Sequence, residues 1–335
     1  MARRKNVTIY DVAKEAGVAA STVSRALSRP DRVSADTAAR IFGVAKQLGY
    51  YREGASYSEP MRLAKTLVIV VADLSNLTYA DVVAGFQRSA TEAGYATVVI
   101  DTQESHAMEQ RTLKQIIQGV DGVALAASRL DSGAIYRIEK TRPLVLLNRF
   151  MQGVTCVLPD TERGVEQVCR YLRDLGHRSL LYIGGPEMSW ANAMRWRSVQ
   201  VKASEFGLKL EHTVFNVPDL TGGASAVDAW ESSRTTAVLA FNDLMAIGFM
   251  REAQQRGFNI PEDVSVIGID DSMLSRLVKP ELSSLSLAAD QIGVRGAWAL
   301  IRQVEHRSLR ERHLIHVPSE FIPRVSTGAA RMKVQ

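Results

Sequence analysis

TIYDVAKEAGVAASTVSRAL, residues 8–27, sets two short helical patterns on either side of Gly17. Thr8 can cap the first helix, whose apolar positions are Ile9, Val12, Ala13 and Ala16. Gly17 permits a tight turn, and Val18 falls between the two helices. The second helix runs roughly from Ala20 to Leu27, with Val23, Ala26 and Leu27 inward and Ser21, Ser24 and Arg25 largely outward. Short hydroxyl side chains beside a guanidinium can approach a nucleic acid closely, the hydroxyls at phosphates and the arginine at a base edge. Ser34 opens a third helix to about Leu48, with Ile41, Val44, Ala45 and Leu48 facing in, and Gly49 ends it. Three such short helices in succession make a helix-turn-helix unit.

The charge is distributed to match. The 335 residues carry a formal net charge of +5. Residues 1–65 hold 12 Lys or Arg against six Asp or Glu, a net +6, which leaves −1 for residues 66–335. The basic excess therefore sits where an anionic partner is expected. Cys156 and Cys169 are too far apart for a C-x-x-C site, and thiols this sparse fit a reducing cytosol. No apolar run follows the opening Met-Ala-Arg-Arg-Lys, and no stretch approaches the ~20 apolar residues of a membrane span. A cytoplasmic protein with no membrane partner is expected.

From Leu67 the pattern changes. Strand-length apolar runs at Leu67–Ala72, Ala96–Ile100, Gly122–Ala126, Leu144–Leu147, Leu180–Ile183, Ala237–Ala240 and Val264–Ile269 alternate with helix-period segments. Those segments run roughly Tyr79–Ala93, Met108–Gln118, Glu162–Leu175, Arg195–Phe206, Ala224–Ser233 and Leu244–Arg256. Alternation of this kind means parallel sheets covered on both faces. A fresh strand start at Arg178, RSLLYIGGP, divides the pattern into two sets and so into two lobes. A ligand then belongs where the carboxyl ends of the two sets of strands face each other.

The quoted stretch, then VSADT at 33–37 and LGY at 48–50, resembles the headpiece of LacI/GalR-family transcriptional regulators, and the resemblance runs through nearly the whole chain. It implies that Ala20, Ser21 and Arg25 read bases, and that Thr8, Tyr10, Thr22, Ser24 and Ser34 hold phosphates. Ala19 stands where the family usually has Ser or Thr, which removes a helix cap worth ~1 kcal/mol. In residues 50–65, YYREGASYSEPMRLAK, the resemblance implies a hinge helix with an apolar minor-groove wedge. Here the wedge position is Glu59, Pro60 follows, and Arg52-Glu53 replaces the usual Pro-Asn. Phosphates repel a glutamate and proline obstructs a helix, so a basic, flexible linker with loosely enforced half-site spacing is expected.

The core resembles periplasmic sugar-binding proteins. The organisation implied is a small all-α helix-turn-helix headpiece, residues 1–49, a linker, residues 50–65, and a two-lobed α/β core with parallel sheets, residues 66–335. Lobe 1 takes about 66–159 and 288–317, and lobe 2 about 160–287 and 318–327. By the same resemblance Tyr79 is the stacking ring, and Asn148 and Arg149 hold sugar hydroxyls. Arg195 matches the effector-binding arginine, Asn242-Asp243 the family's Asn-Asp, and Asp270 the acidic hydroxyl acceptor. Asp160 stands at the lobe crossover. Asp243 reads equally as an acid capping a helix. Leu220 and Leu287 replace a common aromatic and a common glutamine, which disfavours a bare purine, while Asn148-Arg149 favours a sugar or a nucleoside's ribose. Trp190 and Trp196, near Arg195, are either extra stacking rings or packing.

Other chemistry is not encoded. Gly184-Gly185-Pro186 is not G-x-G-x-x-G, and neither a P-loop nor a Gly-x-Ser-x-Gly elbow occurs. His313 and His316 lie three apart in a strand and so tend to opposite faces. No catalytic residues, metal or cofactor are expected. The reading is a ligand-responsive regulator, a repressor of carbohydrate or nucleoside utilisation genes. It would bind a near-palindromic double-stranded operator as a homodimer, with a sugar or nucleoside as effector. The rival, a solute-binding module of a transport system, is disfavoured by the basic headpiece.

Overall fold

α-Helices of 10 to 17 residues and strands of three to six, alternating from residue 66 onward, build two separate sheets. The computed structural model describes residues 7–28, 33–48, 50, 64–306 and 312–331. The chain divides into two units, Met1–Leu63 and Ala64–Gln335. Glu59, Pro60 and the hinge reading that rests on them lie outside the described residues.

The first unit contains α1 (Ile9–Glu15), α2 (Ala20–Ser28) and α3 (Ala35–Leu48). Val12, Ala13, Ala16, Val23, Ala26, Leu27, Ile41 and Ala45 form its buried core. Gly17 makes the α1–α2 turn at φ +64°, a conformation L side chains rarely adopt, while the space around it is open. The Val18 N–H closes the turn onto the Ala13 carbonyl at 3.0 Å.

In the second unit, lobe 1 holds β1 (Thr66–Val71), β2 (Ala96–Asp101), β3 (Gly122–Ala126), β4 (Leu144–Leu147) and β5 (Thr155–Pro159), joined later by β11 (Leu314–Val317). Their order is β11-β5-β4-β3-β1-β2. Helices α4 (Leu77–Glu92), α5 (His106–Ile116), α6 (Ser132–Thr141) and α11 (Ala289–Glu305) belong to this lobe. Lobe 2 holds β6 (Ser179–Ile183), β7 (Lys209–His212), β8 (Ala237–Ala240), β9 (Ser265–Asp270), β10 (Ser283–Ser286) and β12 (Glu320–Ile322), ordered β12-β10-β9-β8-β6-β7. Its helices are α7 (Thr161–Asp174), α8 (Trp190–Glu205), α9 (Leu220–Ser233) and α10 (Asp243–Gln255). All pairings are parallel except β10 with β12. The interior strands read as continuous apolar runs because helices cover both faces. The chain crosses between lobes after β5, after β10 and after β11.

Parallel strands bring all their carboxyl ends to one edge of each sheet, and there the backbone departs from ordinary conformations. Gln103 and Glu104 after β2, Ala127 after β3, Asn148 after β4, and Asp270 and Asp271 at the end of β9 all have positive φ. Side chains other than glycine held this way cluster at functional sites.

Candidate nucleic-acid interface and ligand cleft

On α2, Ser21 and Arg25 are exposed, and Thr22 and Ser24 are half-buried. Ala20 packs against the headpiece core. It was expected on the reading face, but at the first position of α2 its methyl turns partly inward, and its exposed part is small. Ala19 precedes the helix, and its carbonyl accepts the Thr22 and Val23 amides at 2.9 and 3.1 Å, with no side chain to cap the remaining N–H groups.

Tyr10 is 73% exposed at the start of α1. The Thr8 N–H and hydroxyl both donate to the Asp11 carboxylate at 2.7 Å, so Asp11 closes the first turn of α1. The Thr8 hydroxyl must swing away from Asp11 to donate to a phosphate. The Ser34 hydroxyl donates to Thr37 at 2.8 Å.

The cleft residues are set by helix caps at the strand ends. Asn76 caps α4 by accepting the Thr78 amide at 3.0 Å, which raises Tyr79 in the first turn. Ser189 caps α8, so this helix starts five residues before Arg195 and turns Arg195 inward in its second turn. Arg195 and Asp270 side chains are only 5% and 4% exposed, and their nearest N and O lie 3.5 Å apart. The guanidinium also donates to the Phe241 carbonyl and lies 4.5 Å from the Phe241 ring centre.

Tyr79 gathers these groups. Burial pushes its phenol well above the ordinary range, and the charges of Arg129, Glu104, Asp270 and Arg195 all act on it. Burial also raises Asp270, against the opposing pull of Arg195. Asn76 and Thr78 of lobe 1 come close enough to lower it, although the buried Thr78 hydroxyl makes no hydrogen bond of ordinary geometry.

Beneath Asp270 lies a second acid. Asp243 is buried, accepts the Ser272 amide at 2.7 Å and the Ser284 hydroxyl at 2.6 Å, and is pushed up to about 7 by burial and by the Asp270 charge. It does not cap α10. Asn242 does, accepting the Met245 amide at 2.9 Å while its amide donates to the Pro218 carbonyl at 2.8 Å. A Cβ at Gly268 would overlap the Asp243 carboxylate, so this strand position must be glycine for the acid to fit.

Three expected contact residues are occupied by the protein itself. Arg149 Nη1 donates to the Ser128 and Leu130 carbonyls at 2.6 and 2.7 Å and braces the turn after β3. Both polar ends of the Asn242 amide are used, as above. Asp160 caps α7 through the Arg163 amide at 3.3 Å and lines a charged surface groove with Glu162 and Arg170. Asn148, at φ +53°, is half-buried at the end of β4.

Trp196 stacks between Tyr182 and His212 and is packing. Trp190, from lobe 2, packs against the apolar cluster of lobe 1 and so spans the lobes. Sequence reasoning missed Glu104, His106 and Arg129. Arg129 Nε and Nη2 meet Glu104 at 2.6 and 2.5 Å. The signal was available as charged residues placed immediately beyond the apolar runs of β2 and β3.

Comparison with known proteins agrees with this layout. Residues 8–53 match the family described as bacterial regulatory proteins, lacI family, and residues 169–327 the periplasmic binding protein-like domain. Catabolite control protein A of Priestia megaterium is 26% identical over 331 residues, covering 96% of this chain and 99% of that protein. The HTH-type transcriptional repressor CytR of Escherichia coli K12 is 28% identical over 332 residues, 96% of each. In fold, the chain resembles the lac repressor dimer bound to operator and the anti-inducer ONPF, with TM-score 0.72 and 22% identity over 97% of this chain and all of that one. It also resembles the regulator CelR in its cellobiose complex, with TM-score 0.71 and 24% identity over 96% and 99% of the two chains.

Proposed function

We propose, for a chain that belongs to the lacI family of bacterial regulatory proteins, a repressor whose ligand cleft sets its grip on an operator. It acts in the cytoplasm as a homodimer and works by binding alone. Two headpieces occupy successive major-groove half-sites of a near-palindrome, about one helical turn apart. Arg25 supplies most of the direct base readout and Ser21 a second contact, while Ala20 offers only a methyl edge. Tyr10, Thr22, Ser24 and Ser34 hold phosphates, joined by Thr8 once its hydroxyl leaves Asp11.

The effector is a sugar or a nucleoside. Tyr79 covers the apolar face of its ring, and Arg195 and Asp270 pair with adjacent hydroxyls, the geometry a guanidinium fork and a carboxylate suit. Asn148 reaches the same ligand, whereas Arg149 and Asn242 hold the loops that aim the others. The effector shifts the population between DNA-competent and DNA-incompetent arrangements of the dimer. The genes under control would be those for use of the effector.

The observation that carries this reading is the buried Arg195–Asp270 pair beside Tyr79, in a chain whose other unit exposes Ser21 and Arg25 on one helix. The test is selection of bound duplexes from a random library by the full chain. Enrichment of a near-palindromic sequence is expected. An unenriched pool fits instead a solute-binding module without DNA binding and ends the regulator reading.

A further inference from the structure

We infer that the cleft continues past Tyr79 into a mouth-side subsite that takes the outer ring of a neutral glycosyl conjugate and turns anionic sugars away. This rests on the sugar or nucleoside reading of the cleft given above. A cavity of about 380 Å³ bridges the two lobes, within the size range of small-ligand sites. Glu104, His106 and Arg129 form its lobe 1 wall, and Met188, Val217 and Pro218 its lobe 2 wall. Its lobe 1 wall follows the carboxyl ends of β2 and β3, the same edge of the sheet from which Tyr79 rises after β1, and the charges of Glu104 and Arg129 act on the Tyr79 phenol.

Apart from Glu187 and Asn216, the lobe 2 wall is apolar, and it is uncovered. Met188 is 78% and Val217 60% exposed, and Val214 and Phe215 are exposed on the same loop as Val217. Exposed apolar side chains beside a polar cleft mark a surface built to be covered. The loop is not loose. The Asn216 amide donates to the Gly184 carbonyl, the Thr213 hydroxyl and the Val214 carbonyl at 3.2, 2.9 and 2.6 Å, which fixes Val217 at the rim. A second sugar ring or a nucleobase has the flat apolar face such a wall would cover.

The lobe 1 wall sets the charge rule. Each of the three Arg129 guanidinium nitrogens already has a partner: Nε and Nη2 meet Glu104, and Nη1 donates to the Ala127 carbonyl at 2.8 Å. Glu104 meets Arg129 through Oε2, so Oε1 can still accept. His106, also in the lining, donates from Nδ1 to the Arg129 carbonyl at 2.9 Å. Glu187 adds a second acid to the lining. The mouth therefore accepts hydrogen bonds from hydroxyl or amino donors. Because Arg129 and Glu104 neutralise each other, a carboxylate or phosphate there would meet the uncompensated charge of Glu187, with no free cation among the described residues of the lining to offset it.

Calorimetric titration of the full chain tests this with free pentoses and hexoses, neutral disaccharides, nucleosides, and the uronate or monophosphate counterpart of each conjugate. At least one neutral conjugate should bind roughly tenfold or more tightly than its parent monosaccharide, as burying one apolar side-chain face allows. The disaccharide and nucleoside arms identify which second ring the mouth takes. Its anionic counterpart should bind at least tenfold more weakly. Met188→Ser and Val217→Asn, both at exposed positions, should each narrow the conjugate-to-monosaccharide ratio several-fold, with melting of the unliganded protein as the folding control. Glu104→Gln, or the milder Glu187→Gln, should recover affinity for the anionic counterpart. Equal affinity for monosaccharide and conjugate, or for neutral and anionic conjugates, overturns the subsite and leaves the effector reading standing. If no sugar or nucleoside binds at all, the effector reading fails and the subsite falls with it.

Discussion

Substituting Asp270 by Asn and Arg195 by Met, singly and together, probes the pair on which the cleft is built. At 3.5 Å, with an effective dielectric of ~20, the two charges attract by about 5 kcal/mol. Both side chains are almost fully withdrawn from water, so their desolvation cancels much of that gain. Removing one partner of such a pair ordinarily costs ~3–5 kcal/mol. Two features reduce the cost of Asp270→Asn. The guanidinium keeps the Phe241 carbonyl and ring, and Asp243 is relieved of a neighbouring negative charge. A loss of ~2 kcal/mol is expected. Arg195→Met keeps the stem packed on Phe241 but leaves Asp270 facing Asp243 without its cation, so ~3 kcal/mol is expected. The double variant should lose about 2 kcal/mol less than the sum of the two. The assay is urea unfolding of the four proteins at pH 7.5, followed by near-ultraviolet circular dichroism and analysed as a double-mutant cycle. A coupling below ~0.5 kcal/mol would show that Arg195 and Asp270 act independently, and the cleft would lose its organising pair.

Arg25→Ala should relax preference at one base pair of the selected operator by ~1–3 kcal/mol, read by competition binding with single-base variants; an unchanged preference profile contradicts the base-reading role. The Asp243 carboxyl is raised on folding, so the native state holds its proton from the ordinary carboxylate range up through about pH 7. Its contribution to stability is therefore greatest at low pH and declines as pH rises through about 7, and Asp243→Asn should flatten that part of the pH–melting profile. An unchanged slope in the variant contradicts the buried-acid account. With Glu59 and Pro60 in the linker, inserting one base pair between half-sites should weaken operator binding by less than tenfold in a mobility-shift titration; a sharp loss would contradict the loose-spacing expectation.

The fold was legible wherever burial on both faces forced an unbroken apolar run. The runs at Gly122–Ala126, Leu144–Leu147 and Ala237–Ala240 are strands with those bounds. Strands stabilised by other means were not legible. β7, Lys-Leu-Glu-His, is an edge strand and need not be apolar. β10, Ser-Ser-Leu-Ser, is buried by hydrogen bonds: Ser283 to Ser326 and Thr327 of the tail, and Ser284 to Asp243. Those partners are 41 to 44 residues away, beyond any local pattern.

The same limit applies to the cleft. Tyr79, Arg195 and Asp270 stand out because motif context fixes them, and the fold does bring them together. The Glu104–Arg129 pair closes over 25 residues between two strand ends, and its geometry depends on positive φ at Glu104 and at Ala127. Asn242-Asp243 shows the complementary difficulty. Either residue can cap a helix, and only the serines at 272 and 284 decide that Asn242 does so while Asp243 goes inside.

In the proposed regulator the cleft and the headpiece share one equilibrium. On the wild-type dimer, operator affinity can be measured with and without a saturating neutral glycoside, and glycoside affinity with and without saturating operator. Each should change the other by the same factor, five-fold or more and of either sign, as reciprocal coupling of ~1 kcal/mol or more requires. Operator affinity that is indifferent to a glycoside bound in the cleft would contradict it.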